Sequence, residues 1–430
     1  MESQIKDLMR FLDRSRSAFH AVELIAEQLK KAGYQELNEQ AAWRLVKGAG
    51  YFVRRQDSSI IAFKTAVSPV EDGGFRIAGA HTDSPGFRIK TDSENAKAGT
   101  VRVSVEAYGG PIRSSWFDRE LGMAGRVLIN RDTGLETELF CTESPCALIP
   151  NAAIHLNREI NKGVEHNIQN DMKAILTVTV AEAEVRGYVR RLVAQKKGVP
   201  MDSVYDYDLF LFPAETAQFV GDKGDMFMSG RIDNLAMAHA IITAIVEAEK
   251  NSSTLVGALF DSEEIGSQTW QGARSSFLRD ILHRIAICGG GGEEEFLRAL
   301  AGSFMISGDA AHAAHPNYIE KYDADFAPEL NMGPVVKIHA GQAYTTNAET
   351  GGRFLALCRR KNIPAQRFYN RSDMSSGSTI GPLSSSRLGV PSVDIGSAIW
   401  AMHSARETAG VKDQDYMKAA LVAFFEEDGL

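Results

Sequence analysis

Five short segments of this chain place metal-binding or proton-carrying residue types beside apolar runs. They are His81-Thr-Asp83, Asp233-Asn234, Glu263-Glu264, Asp309 with His312 and His315, and Met402-His-Ser404. Glu263 and Glu264 are the centre of the set. They follow Thr254–Phe260, a short apolar run suited to a buried strand, so two neighbouring carboxylates stand where a strand gives way to a loop. In open α/β sheets that is where ligands bind. Adjacent carboxylates in such a place repel, and a proton or a cation is expected between them. A hydrolytic two-metal site needs this kind of collection. Each metal takes an imidazole and a carboxylate, a further carboxylate bridges both, and a water is left for attack. A nearby carboxylate that is not a ligand then accepts the proton of that water. Imidazole and oxygen donors without thiolate suit zinc, manganese or cobalt.

Each segment also has a plainer reading. Glu263-Glu264 alone fits a solvated acidic turn, and Asp233 fits a cap for the helix after it. A single histidine at a strand end fits a hydrogen-bonded core residue. His312 and His315 have a metal-pair spacing, but Pro316 indicates a loop, which presents such side chains to substrate as readily as to metal. The conjunction of the five segments favours the metal site.

The elements that must position these residues form an α/β pattern. Residues 3–33 read as helical, with Val22, Ile25, Ala26 and Leu29 on one face and Gly33 as the stop. β-like runs follow at 50–54, 60–64 and 75–80. From about Thr91 the texture turns β-rich. Val101, Val103 and Val105 alternate with Arg102 and Ser104, Arg131–Gly134 is turn chemistry, and Ile175–Val180 alternates again. Residues 233–249 read as one helix, the glycine cluster 289–292 as a surface loop, and Tyr416–Phe425 as a closing helix. The expected architecture is a discontinuous α/β domain, residues 1–92 and 230–430, with a central mixed sheet flanked by helices. A β-rich insert at 93–229 interrupts it and is a natural place for self-association.

Bulk properties limit the alternatives. At 430 residues two domains are the natural expectation, and 44% hydrophobic with 24% charged residues is ordinary globular composition. A net charge of −8 without a basic block gives no footprint for nucleic acid. No run approaches membrane-span length, and the start of the chain lacks the apolar core of a signal peptide. The four cysteines form no Cys-x-x-Cys pair. Together these suggest a cytoplasmic protein with neither membrane nor nucleic-acid partners.

The segments Ala80-His-Thr-Asp-Ser-Pro85, Ser229-Gly-Arg-Ile-Asp-Asn234, Phe260-Asp-Ser-Glu-Glu-Ile-Gly-Ser267, Ser307-Gly-Asp-Ala-Ala-His312 and Met402-His-Ser-Ala-Arg-Glu407 together resemble the aspartyl aminopeptidases, dinuclear-zinc exopeptidases. The agreement runs in order from about Phe11 to the C-terminus. The resemblance implies two Zn2+ per subunit, with Mn2+ or Co2+ as substitutes. Asp233 would bridge them, His81 and Asp309 would hold one, and Glu264 and His403 the other. It implies Glu263 as general base toward a metal-bridged water, and Asp83 as the acid that orients His81. It implies that Lys337, in Gly333-Pro-Val-Val-Lys-Ile-His339, holds an acidic first side chain with Tyr344 nearby. His155, in Asn151-Ala-Ala-Ile-His-Leu-Asn157, would enter a neighbouring subunit's site. The implied assembly is a tetrahedral dodecamer built from dimers through the β-rich insert, acting on small peptides. One departure is Ser376, where the family commonly has cysteine before the glycine of Gly-Ser-Thr-Ile-Gly-Pro. The nearest alternatives are a two-metal aminopeptidase or deacylase of different preference, and a catalytically silent scaffold.

Overall fold

The strand Thr254–Phe260 is buried along its whole length, and its side chains alternate between two cores. Leu255 and Leu259 point into one, Val256, Ala258 and Phe260 into the other. Burying a side chain of this size contributes roughly 1.5–3 kcal/mol. Together they outweigh the repulsion of two carboxylates about 4 Å apart, about 4 kcal/mol at a near-surface dielectric. The core can therefore hold the acidic residues beyond the strand at close quarters.

The computed structural model describes residues 2–178, 185–249 and 252–427. The chain forms two compact units, one of Met1–Asp83, Ala217–Met402 and Glu407–Leu430, the other of Ser84–Thr216 and His403–Arg406. The divisions fall at 83/84 and 216/217 instead of the expected 92/93 and 229/230. Strand pairing explains the shift. Gly86–Ile89 pairs with Val105–Tyr108 and with Phe210–Leu211, whereas Met226–Ser229 pairs with Glu407–Gly410.

The first unit is built on a nine-stranded mixed sheet. Its order is Gln35–Glu36, Gly50–Arg55, Ser59–Lys64, Thr254–Phe260, Phe75–His81, Phe304–Gly308, Ser392–Gly396, Val335–Ile338 and Gln366–Tyr369. The four strands from Thr254–Phe260 to Ser392–Gly396 are mutually parallel, so their carboxyl ends share one edge. Helices cover both faces. Glu2–Arg14, Ala18–Lys31, Ile232–Glu247 and Asp413–Glu426 contribute to one core, Phe277–Cys288 and Glu293–Ala301 to the other. The helix Ile232–Glu247 is buried almost all round, as an apolar helix in the middle of a domain must be. A second sheet of the same unit orders Gln218–Val220, Met226–Ser229, Glu407–Gly410, Ala398–Trp400 and Ala311–His312.

The expected single helix over 3–33 is two helices. Ser17 begins the second, its Oγ accepting the N–H of His20 at 3.5 Å. Gly33 follows that helix at φ +85°, as a stop requires. The other unit contains a five-stranded and a three-stranded sheet. The run Val101–Val105 divides at Ser104 into the strands Thr100–Val103 and Val105–Tyr108. The alternation expected over Ile175–Val180 is a strand at Ala174–Val178, and residues 179 and 180 lie outside the described residues.

Candidate metal centre

Beyond Phe260 the chain turns sharply at Ser262, φ +68°, into a single 3-10 turn, Glu263–Ile265. The first N–H groups of such a turn lack internal partners. Asp83 supplies them: its Oδ1 accepts the N–H of Glu263 at 3.2 Å and its Oδ2 that of Glu264 at 3.1 Å. The same carboxylate lies 3.3 Å from Nδ1 of His81, which is also 3.0 Å from the Asp83 carbonyl. Two acceptors on Nδ1 place the proton there and leave the Nε2 lone pair for a ligand role.

Around that Nε2 the carboxylates gather. Asp233 Oδ1 and Asp309 Oδ1 are each 3.5 Å away, and Glu263 Oε2 is 4.0 Å away. Donor atoms of His81, Asp233 and Asp309 lie within 4.8 Å of one another, as do those of His81, Glu263 and Glu264. These separations are long for hydrogen bonds. They suit two donors on one tetrahedral zinc, which at bond lengths of about 2.0–2.1 Å stand about 3.3 Å apart. Electrostatics point the same way. Burial pushes the Glu263 carboxyl up to about 7; His81 opposes this, and Asp309, Asp83 and Asp233 add to it. Burial also disfavours charge on His81, but Asp233, Asp309 and Asp83 outweigh it and hold the imidazole well above its usual range. A cluster that seeks protons this strongly is one that a cation satisfies. The imidazole-and-carboxylate donor set fits zinc.

Asp233 occupies a non-helical stretch before the regular helix, with backbone angles of −77° and 109°. Its carboxylate faces His81, at the end of the strand Phe75–His81. Asp309 follows the strand Phe304–Gly308, its N–H donated to Ile395 O at 2.8 Å. Gly396 lets this approach occur, because a Cβ there would lie 1.7 Å from the Asp309 carbonyl oxygen. Gly396→Ala is therefore expected to displace Asp309 and destabilise the fold by about 1–3 kcal/mol, and, with Asp309 a ligand as the resemblance implies, to lower zinc affinity at least about tenfold. Zinc competition titration with denaturant unfolding checks both; unchanged zinc affinity would contradict the placement of Asp309.

Lys337 is buried, 2% exposed. Its Nζ donates to Asp309 Oδ2 at 3.3 Å and to Ala310 O at 3.1 Å, and lies 5.1 Å from the centre of the Tyr344 ring. Burial lowers the ammonium pKa, but Asp309, Tyr344 and Asp394 outweigh it, so Lys337 is held above its ordinary value and charged.

The remaining expected residues lie as follows. His403 falls in the segment grouped with the second unit, where its Nδ1 is 3.1 Å from Gly110 O. That contact protonates Nδ1 and leaves the lone pair on Nε2. His155 is exposed in a turn of the same unit, and Ser376 is half-buried, donating to the Gly377 carbonyl. His312 and His315 are absent from the metal-capable groups found among the described residues. His315 Nδ1 instead accepts the N–H of Asn317 at 3.2 Å, which fits the loop that Pro316 indicates. Asn234 and Glu407, named in the segments above without a role, are buried against the cluster. Glu407 closes one of the quoted motifs, and that position was the one available signal.

The family model described as aminopeptidase I zinc metalloprotease (M18) matches residues 11–425. The chain belongs to the M18 aminopeptidase family. A probable M18 family aminopeptidase 2 from Clostridium novyi (strain NT) is 42% identical over 431 aligned positions, covering 99% of this chain and 100% of the relative. A chain in the cryo-EM structure of the Ape4 and Nbr1 complex is 34% identical with a TM-score of 0.95, covering 99% of this chain and 86% of that one. The S. cerevisiae mApe1 dodecamer shares the fold, with a TM-score of 0.86 at 24% identity over 99% of this chain and 97% of that one. As an M18 protein, this chain is a zinc metalloaminopeptidase with a mixed α/β fold. No helix among its described residues is long and apolar enough to cross a membrane.

Proposed function

We propose that this M18 enzyme removes acidic residues, Asp or Glu, from the N-termini of small peptides. The observation that carries the reading is the buried ammonium of Lys337 beside the ligand cluster. Two of its three N–H donors go to Asp309 and Ala310, which leaves one for a carboxylate of the first side chain, with Tyr344 alongside. A charge-assisted bond in a desolvated pocket supplies about 1.5–3 kcal/mol, enough to select acidic over neutral residues by about 10–100-fold.

In this proposal His81, Asp309, Asp233, Glu264 and His403 would together hold two zinc ions per subunit. When bound, zinc polarises the scissile carbonyl and lowers the pKa of the attacking water. Asp83 keeps the proton of His81 on Nδ1, so Nε2 stays a ligand. Glu263 takes the water proton on its carboxylate and returns it to the departing amine. Its burial and acidic surroundings favour it as a proton acceptor.

Lys337→Met is expected to lower kcat/KM for Asp- and Glu-peptides about 10–100-fold while sparing Leu-peptides, as paired assays would read. A second reading is favoured by the bond from Lys337 to Asp309: the lysine sets the ligand and leaves selection to other groups. On that reading the substitution lowers every substrate equally, and an unaltered acidic preference discards the selection role.

We also propose a dodecamer assembled from dimers through the β-rich unit, with His155 serving a neighbouring subunit. The dodecamer of the S. cerevisiae relative and the exposure of His155 support this. Mixing inactive His155→Ala with inactive Glu263→Gln subunits is expected to restore part of the activity. No recovery after verified subunit exchange would refute the crossing.

A further inference from the structure

Asp233 and Asp309 come from different strands and helices, 76 positions apart in the chain (309 − 233), yet both stand 3.5 Å from the same imidazole nitrogen. Two side chains that are not members of the metal-capable groups among the described residues span the distance between them. Glu407, 1% exposed, reaches from the strand Glu407–Gly410, and its Oε2 accepts the backbone N–H of Asp233 at 3.0 Å. Asn234, fully buried, donates from Nδ2 to the carbonyl of Gly308 at 2.8 Å, the residue immediately before Asp309. Since Nδ2 must be the donor, this contact also fixes the orientation of the amide. The path is continuous: Glu407 to Asp233, along the chain to Asn234, across to Gly308, along the chain to Asp309. The N–H of Asp309 is held from its other side by Ile395 O.

We infer that Glu407 and Asn234 are positioning residues that set the separation of Asp233 and Asp309 before metal arrives. The inference rests on the reading of those two aspartates as ligands. Its physical basis is that donor groups held at the metal-binding spacing lose little further freedom on binding, whereas free ones must be ordered by the metal itself. The backbone of Asp233 departs from helical angles, and the Glu407 carboxylate accepts its N–H.

The test measures zinc affinity of the full-length assembled protein, stripped of metal and titrated against a chromophoric chelator. Glu407→Gln keeps the reach of the acceptor and removes the charge. Glu407→Asp keeps the charge and withdraws the acceptor by one methylene. A positioning role predicts that Glu407→Gln stays within about threefold of the unmodified protein. It predicts that Glu407→Asp, and Asn234→Leu in parallel, weaken zinc binding by about 10–100-fold, the range of residues that support ligands. If Glu407→Asp binds zinc normally, the inference is overturned, whether or not Glu407→Gln does. Asp233→Ala is run beside them. If it too binds zinc normally, the ligand reading itself has failed; if it alone loses zinc, only the positioning role has.

Discussion

Glutamine in place of Glu263 is expected to lower kcat by about 10²–10⁴-fold with KM and zinc content little changed. The expectation follows from what the substitution preserves. Glutamine has the same length, and the N–H of residue 263 still has Asp83 Oδ1 to donate to. The packing of the strand before it is untouched. What is lost is the ability to hold a proton between the attacking water and the leaving amine. That amounts to about 3–5 kcal/mol in the barrier. Steady-state kinetics with metal analysis on the same preparation reads both quantities. Normal turnover would remove Glu263 from the role of base; loss of zinc together with turnover would make it a ligand instead.

Asp233→Ala is expected to abolish activity, by about 10³-fold or more, by a different route, through loss of metal. Asp233 is the acid proposed to touch both ions, and its carboxylate faces His81 from a stretch of backbone that no other side chain can substitute. Stability should report the same event. A metal that binds the folded state raises the melting temperature by mass action. Zinc is therefore expected to stabilise the unmodified protein, and chelation to reverse this. In Asp233→Ala the zinc-dependent rise should largely vanish, while the metal-free melting temperature stays similar, because a repelling carboxylate has been taken from a crowded acidic cluster. Calorimetry with and without zinc separates this from simple misfolding. An undiminished response to zinc would contradict the proposal.

Much of the candidate metal centre was legible because several of its residues follow strands that announce themselves. Thr254–Phe260, Phe75–His81 and Phe304–Gly308 are nearly continuous apolar runs, the signature of parallel strands buried on both faces. Chemistry-bearing residues immediately after such runs share one sheet edge once the strands are parallel. The family resemblance then ordered these residues into roles. Where local reading fell short, the decisive interactions were either very short or very long in sequence. Ser17 divides the first helix through one capping contact, which periodicity over thirty residues does not register. The unit divisions depend on which strand pairs with which, and the composition of Gly86–Ile89 does not reveal its partners. Glu407 acts on Asp233 across 174 positions through a backbone N–H, a contact with no local pattern at either end. Lys337 entered only through the family resemblance, and its bond to Asp309 emerges only from tertiary structure.

The most direct test of the whole account is anomalous diffraction at the zinc edge from crystals grown with zinc, supported by metal stoichiometry in solution. The account predicts two zinc peaks per chain, joined by Asp233, with His81 and Asp309 on one and Glu264 and His403 on the other. Crystals saturated with zinc that show no ion at His81, Asp233 and Asp309 would contradict it.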